Sequence, residues 1–131
     1  MSLTTDDTTE ILQLYSRYST AIDTGDGEGF ANCFVPDGLF NNGMAVIEGQ
    51  AEIAKFADKT HAAMPGMRHN ATNIVVDAID DSGAKASGSA FLIGYMVDGG
   101  YKVIVTGRYE DELEKRPDGW RFTKRVFTMD K

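Results

Sequence analysis

Cysteine, histidine and positive charge are all scarce in this sequence of 131 residues: one Cys, two His, and thirteen Lys and Arg against twenty Asp and Glu. Each scarcity excludes something. Cys33, in the apolar context Phe30 to Phe34, cannot form an internal disulfide and reads as a buried thiol. With a net charge of −7, and basic residues scattered apart from Lys115–Arg116 and Lys124–Arg125, no basic face is available for DNA, RNA or an anionic membrane. No apolar run approaches the ~20 residues of a transmembrane helix and no signal peptide opens the chain, so a cytoplasmic location is expected. The sequence has no HxxxH or HExxH and no cluster of His, Cys and carboxylate at ligand spacing, so no metal is expected. Neither phosphate-loop motif occurs, because Gly25, Gly27 and Gly29 link helices with no preceding strand, and no cofactor is expected. A GxSxG nucleophile elbow is also missing.

What is there fits one domain over residues 1–131. Thr4, Thr5, Asp6 and Asp7 offer capping oxygens and early negative charge to a first helix. Ile11, Tyr15, Tyr18 and Ile22 recur at helical spacing, with Leu12, Leu14 and Ala21 widening the stripe. At about 100° per residue, Asp23 falls roughly 20° from Leu12, at the edge of the apolar face. Gly25 stops this helix, and Asp26 caps a short second one running through Phe30 and Phe34. Pro36-Asp37-Gly38 reads as a turn before a short strand at Leu39–Phe40. After Gly49 a third helix carries Ile53, Phe56, Ala57 and Met64, with Pro65-Gly66 as its stop. Four strands follow, Met67 to Ile79, Ala84 to Val97, Tyr101 to Leu113 and Trp120 to Met129, joined by Asp- and Gly-rich turns. In the last, Trp120, Phe122, Lys124 and Val126 alternate with Arg121, Thr123, Arg125 and Phe127. Helices first and hairpins after imply an α+β fold with helices on one face of a curved sheet. In the second long strand Ala84, Ala86, Gly88, Ala90 and Gly94 share a side with Leu92 and Met96, leaving room for a packed helix or for a cavity.

Two polar residues stand out. His69 has the side chain whose unperturbed pKa suits a general base near neutrality, whereas His61, late in the third helix, reads as exposed. Asp23 either ties down its own turn or accepts the Nδ1 proton of a histidine, fixing the tautomer. Tyr18 packs in the core or donates to developing negative charge. Arg125 points inward beside Phe127 and Met129 or pairs at the surface.

From Thr8 to Met129 the chain resembles the NTF2-like, SnoaL-like superfamily. The resemblance rests on Y-x-x-A-x-D-x-G-D from Tyr18 to Asp26, F-V-P-D-G at Phe34 to Gly38, Glu48-Gly49, and R-H-x-x-x-N from Arg68 to Asn73. G-R-Y-x-D at Gly107 to Asp111 and D-G-W-R-F-x-x-R at Asp118 to Arg125 complete it. It implies a cone-shaped, cystatin-like barrel of three helices on a curved, mostly antiparallel sheet. The sequence is most similar to the branch of scytalone dehydratase, hexachlorocyclohexane dehydrochlorinase and bile-acid 7α-dehydratase. Those enzymes remove a proton with a His–Asp dyad while a β leaving group departs. By this resemblance Asp23 and His69 are the dyad, Tyr18 and Arg125 are functional polar groups, and Phe40, Ala90, Leu92 and Val105 line the cavity. The strand Ala84–Val97 lacks the second histidine of scytalone dehydratase, and Phe40 replaces a helping tyrosine. In the ketosteroid-isomerase branch the base falls near Asn42 and the oxyanion acid near Val105, and neither residue can do that work.

The function expected is a cofactor-independent lyase, dehydratase- or dehydrohalogenase-like, acting on a small hydrophobic or cyclic substrate. Isomerisation or cyclisation of a steroid- or polyketide-like compound is one alternative, and a non-catalytic binding protein is the other. By analogy with small folds of this type a homo-oligomer, dimer or trimer, is expected.

Overall fold

A computed structural model describes residues 2–131. The first helix, α1 (Thr5–Asp23), begins with a reciprocal cap: the Asp7 N–H donates to Thr4 Oγ1 at 3.0 Å and the Thr4 N–H to Asp7 Oδ2 at 3.1 Å. Its buried face carries Ile11, Leu14, Tyr15, Tyr18, Ala21 and Ile22. Leu12, expected to widen that stripe, is instead 40% exposed. The helix stops because Gly25 turns left-handed (φ 79°), which brings the Asp26 N–H onto the Ala21 carbonyl at 2.8 Å.

Helix α2 (Gly27–Ala31) is one short turn capped by Asp26, whose side chain accepts from the Gly29 N–H at 2.8 Å. It ends before Phe34, which already belongs to β1 (Phe34–Asn41). The expected turn at Pro36-Asp37-Gly38 is therefore an irregularity inside a strand, between the pairs Phe34–Phe122 and Leu39–Lys124. Pro36 is tolerated there because the ladder is already interrupted. A three-residue strand, β2 (Val46–Glu48), precedes α3 (Gln50–Ala63). It has no sequence signal of its own and pairs with the end of β1.

The long strands are β3 (Met67–Ala78), β4 (Lys85–Met96), β5 (Lys102–Arg116) and β6 (Gly119–Met129). They join β1 and β2 in one sheet of order β2-β1-β6-β5-β4-β3, antiparallel except for the parallel β1–β6 pair. The sheet is curved but does not close: β2 and β3 are free edges, so the cone is open rather than a barrel. No described helix is long and apolar enough to cross a membrane.

Small residues on β4 leave room for side chains reaching over from α1 and β5. A Cβ on Gly88 would lie 2.3 Å from the Tyr15 hydroxyl, and Ala86 and Ala90 are buried in the same core. Near the other end, a Cβ on Gly94 would meet Val105 at 2.5 Å and Met67 at 2.7 Å.

The last strand departs from simple alternation. Glu112 pairs with Lys124 but Leu113 pairs with Phe122, so Thr123 is an extra residue. Its hydroxyl donates to the Glu112 carbonyl at 3.1 Å, pinning the bulge. Trp120 and Phe122 point into the core before the bulge, and Arg125 does so after it. One inserted residue thus puts an aromatic and a cation on the same interior.

A candidate active site at the end of the first helix

Asp23 is the last residue of α1, and His69 is the third residue of β3. Because β3 is an edge strand, one row of its N–H groups has no neighbouring strand to donate to. Asp23 takes one of them: Oδ2 accepts from the His69 N–H at 2.8 Å. Its other oxygen, Oδ1, lies 2.6 Å from His69 Nδ1. One carboxylate thereby fixes both the backbone and the ring of the histidine. The side chains are 12% and 10% exposed, which keeps competing water low without burying an unpaired charge. With Nδ1 engaged, Nε2 is the nitrogen left to meet a ligand.

His69 lines a cavity of about 220 Å³ together with Tyr18, Phe40, Leu92 and Val105. Phe56, Met64, Met67, Tyr109 and Phe127 add to the apolar wall, and Asn42 and Thr60 bring polar groups. The cavity sits below the ~300–1,000 Å³ usual for drug-sized ligands, so it has room only for a small molecule. A larger groove of about 750 Å³ runs along the outside of α1, but its lining of Gln13, Arg17, Asp26 and Arg121 contains neither member of the pair.

Two residues expected at the site, Ala90 as lining and Arg125 as a functional polar group, do not line the cavity. Ala90 is buried in the core and does not line the cavity, because on β4 it pairs with Tyr109, whose ring occupies that wall. Arg125 points inward but lies behind the wall, fully buried, with Nε 3.1 Å from Asp111 Oδ1. Its guanidinium carbon lies 3.5 Å from the ring centre of Tyr109, 4.2 Å from that of Tyr18 and 4.9 Å from that of Tyr15. The Tyr15 hydroxyl donates to Asp111 Oδ2. Burial pushes the Asp111 carboxyl above its ordinary range, partly offset by the Arg125 charge. Desolvation likewise pushes the Tyr18 and Tyr109 hydroxyls up, so both stay protonated at neutral pH.

Sequence reasoning missed Tyr109 and Asp111. The signal was present in β5, where Val105, Gly107, Tyr109, Asp111 and Leu113 alternate on one side, and Gly107 through Leu113 on that side are buried. His61, expected to be exposed, is half-buried, its ring packed where a Cβ on Gly25 would sit. Among the described residues no group of three or more His, Cys, Asp or Glu is placed to hold a metal ion.

The profile of the SnoaL-like domain matches residues 4–126. The chain belongs to the SnoaL-like family. An uncharacterised Mycobacterium tuberculosis protein is 30% identical over 127 residues, 93% of this chain and 84% of its own length. The gamma-hexachlorocyclohexane dehydrochlorinase of Sphingobium indicum is 28% identical over 57 residues, 44% of this chain and 36% of that enzyme. Among solved structures, an NTF2-like protein with a cystatin-like fold from Novosphingobium aromaticivorans superposes with a TM-score of 0.86 at 27% identity. That match covers 95% of this chain and 82% of the other.

Proposed function

We propose that the protein is a small cofactor-independent lyase in which His69 takes a carbon-bound proton. The observation that carries this reading is the two-point grip of Asp23 on His69 at 2.6 and 2.8 Å, in a mostly apolar cavity. Nε2 accepts the proton, and the electron pair of the broken C–H bond becomes a π bond. The β group, a halide or hydroxide equivalent, leaves with its own bonding pair. Asp23 stabilises the imidazolium so formed, and the Tyr18 hydroxyl donates to the developing negative charge. Arg125 acts on that charge through the tyrosine rings rather than by touching substrate. The cavity supports a compact, hydrophobic or cyclic substrate.

The half-exposed Phe91 and Ile93 on the outer sheet face support self-association, which light scattering would read directly as a mass above 14.3 kDa.

The test is a panel of small halogenated and hydroxylated cyclic compounds, followed for new C=C absorbance and released halide. Turnover by the wild type that falls by ~10²–10⁴ in His69→Ala supports the reading, since general-base catalysis is worth about that much. A folded His69→Ala protein as active as the wild type would overturn it.

A further inference from the structure

Tyr109 shares the cavity with Tyr18 and His69. It comes from β5, whereas Tyr18 comes from α1, yet their rings meet edge to face with centres 5.9 Å apart. Both are almost wholly buried. Behind both rings lies Arg125, whose terminal nitrogens are fully buried and have no hydrogen-bond partner. A guanidinium left in that state is costly. Its charge is directed at the tyrosine faces and, beyond them, at whatever occupies the cavity. A cation over an aromatic face draws density from the ring and makes its hydroxyl a better donor.

We propose that Tyr109 is a further catalytic residue, forming with Tyr18 a two-hydroxyl donor site that Arg125 polarises from behind. The ligand class this site takes is a compact planar anion of the enolate or phenolate type. The proposal deepens the lyase reading and rests on it for the role of the site in turnover. The anion site itself requires no proton transfer to His69.

The test measures binding of 4-nitrophenolate and of nitrobenzene, its uncharged analogue without the phenolic oxygen, at a pH where the free phenol is ionised. The wild type, Tyr109→Phe, Tyr18→Phe and His69→Ala proteins are compared. Phenylalanine keeps both rings, so packing and thermal stability serve as controls. The wild type is expected to prefer the anion by about tenfold or more, the scale of one good donor to a charged acceptor. That preference should collapse in Tyr109→Phe, shrink in Tyr18→Phe and survive in His69→Ala. A Tyr109→Phe protein that keeps the wild-type preference overturns the proposal, as does a wild type that prefers nitrobenzene or binds neither probe. If His69→Ala keeps both the anion preference and full turnover, the base assignment fails while the anion site stands.

Discussion

One carboxylate, that of Asp23, holds His69 twice, through the backbone N–H at 2.8 Å and through Nδ1 at 2.6 Å. The grip joins the end of α1 to an edge strand 46 residues later, so ring orientation is set by two elements of the fold rather than by a loop. That is the preorganisation a general base needs.

Replacing Asp23 by Asn keeps the size and one acceptor oxygen but removes the charge and the certainty of the tautomer. Activity should fall by ~10²–10⁴, as for other histidines deprived of their orienting carboxylate, while the melting temperature changes little. Steady-state kinetics beside a thermal melt checks this.

The Asp111–Arg125 pair is asymmetric in what its loss costs. Asp111→Ala leaves a buried guanidinium without a counter-charge and should destabilise by about 3–5 kcal/mol. Replacing both residues by apolar ones of similar volume should cost clearly less than Asp111→Ala. Urea denaturation of the two variants measures the difference.

Gly88→Ala places a methyl 2.3 Å from the Tyr15 hydroxyl, and the oxygen it meets is already held by Asp111. The Tyr15 side chain and its bond to Asp111 must give way, at about 1–3 kcal/mol. A Gly88→Ala protein as stable as the wild type would mean that the Tyr15 hydroxyl does not lie over Gly88 in this way.

The folding of the chain was legible in the sequence mainly where local chemistry decides it. The cap at Thr4 and Asp7, the stop at Gly25 and the turns between β3, β4, β5 and β6 follow from propensity and turn residues acting over a few positions, although β5 runs on to Arg116, past the expected end at Leu113. The bulge at Thr123 was not legible, because nothing within the strand marks it: it exists so that Phe122 and Arg125 both face inward. The same holds at Asn73, which takes a left-handed φ of 54° where β3 slips against β4. Of the candidate site, Asp23, His69 and Tyr18 were singled out by residue type and family pattern, and the structure brings Asp23 and His69 together and places Tyr18 and His69 on one cavity. Arg125 was left between an inward and a surface position, because its seat behind the cavity wall depends on Asp111 and on three tyrosine rings, two from α1 and one from β5. Ala90 was misplaced because a small side chain leaves room without saying which neighbour fills it.

Stability should respond to pH at both extremes. Burial pushes the Cys33 thiol from 9.0 up to about 11, so the unfolded chain ionises first as pH rises. The contribution is fully present below pH 9 and is lost between 9 and about 11, roughly 2–3 kcal/mol in all, joined above pH 10 by Tyr15, Tyr18 and Tyr109. Cys33→Ala should flatten the first part of that limb. At the acid end Asp7 has the opposite sign. The Thr4 N–H, then Lys115 and the Trp120 indole, hold its carboxyl well below the ordinary 3.8, so its stabilisation is present above that pH and lost below it. Thermal melts across pH read both limbs.

The central claim is that the Nε2 atom of His69 accepts hydrogen from carbon. The most direct measurement is the rate of C–H cleavage on a substrate deuterated at the reacting carbon, in the wild type and in His69→Ala. The account predicts a primary isotope effect in the wild type and a ~10²–10⁴-fold slower cleavage in the variant. Cleavage at the wild-type rate in a folded His69→Ala protein would contradict it.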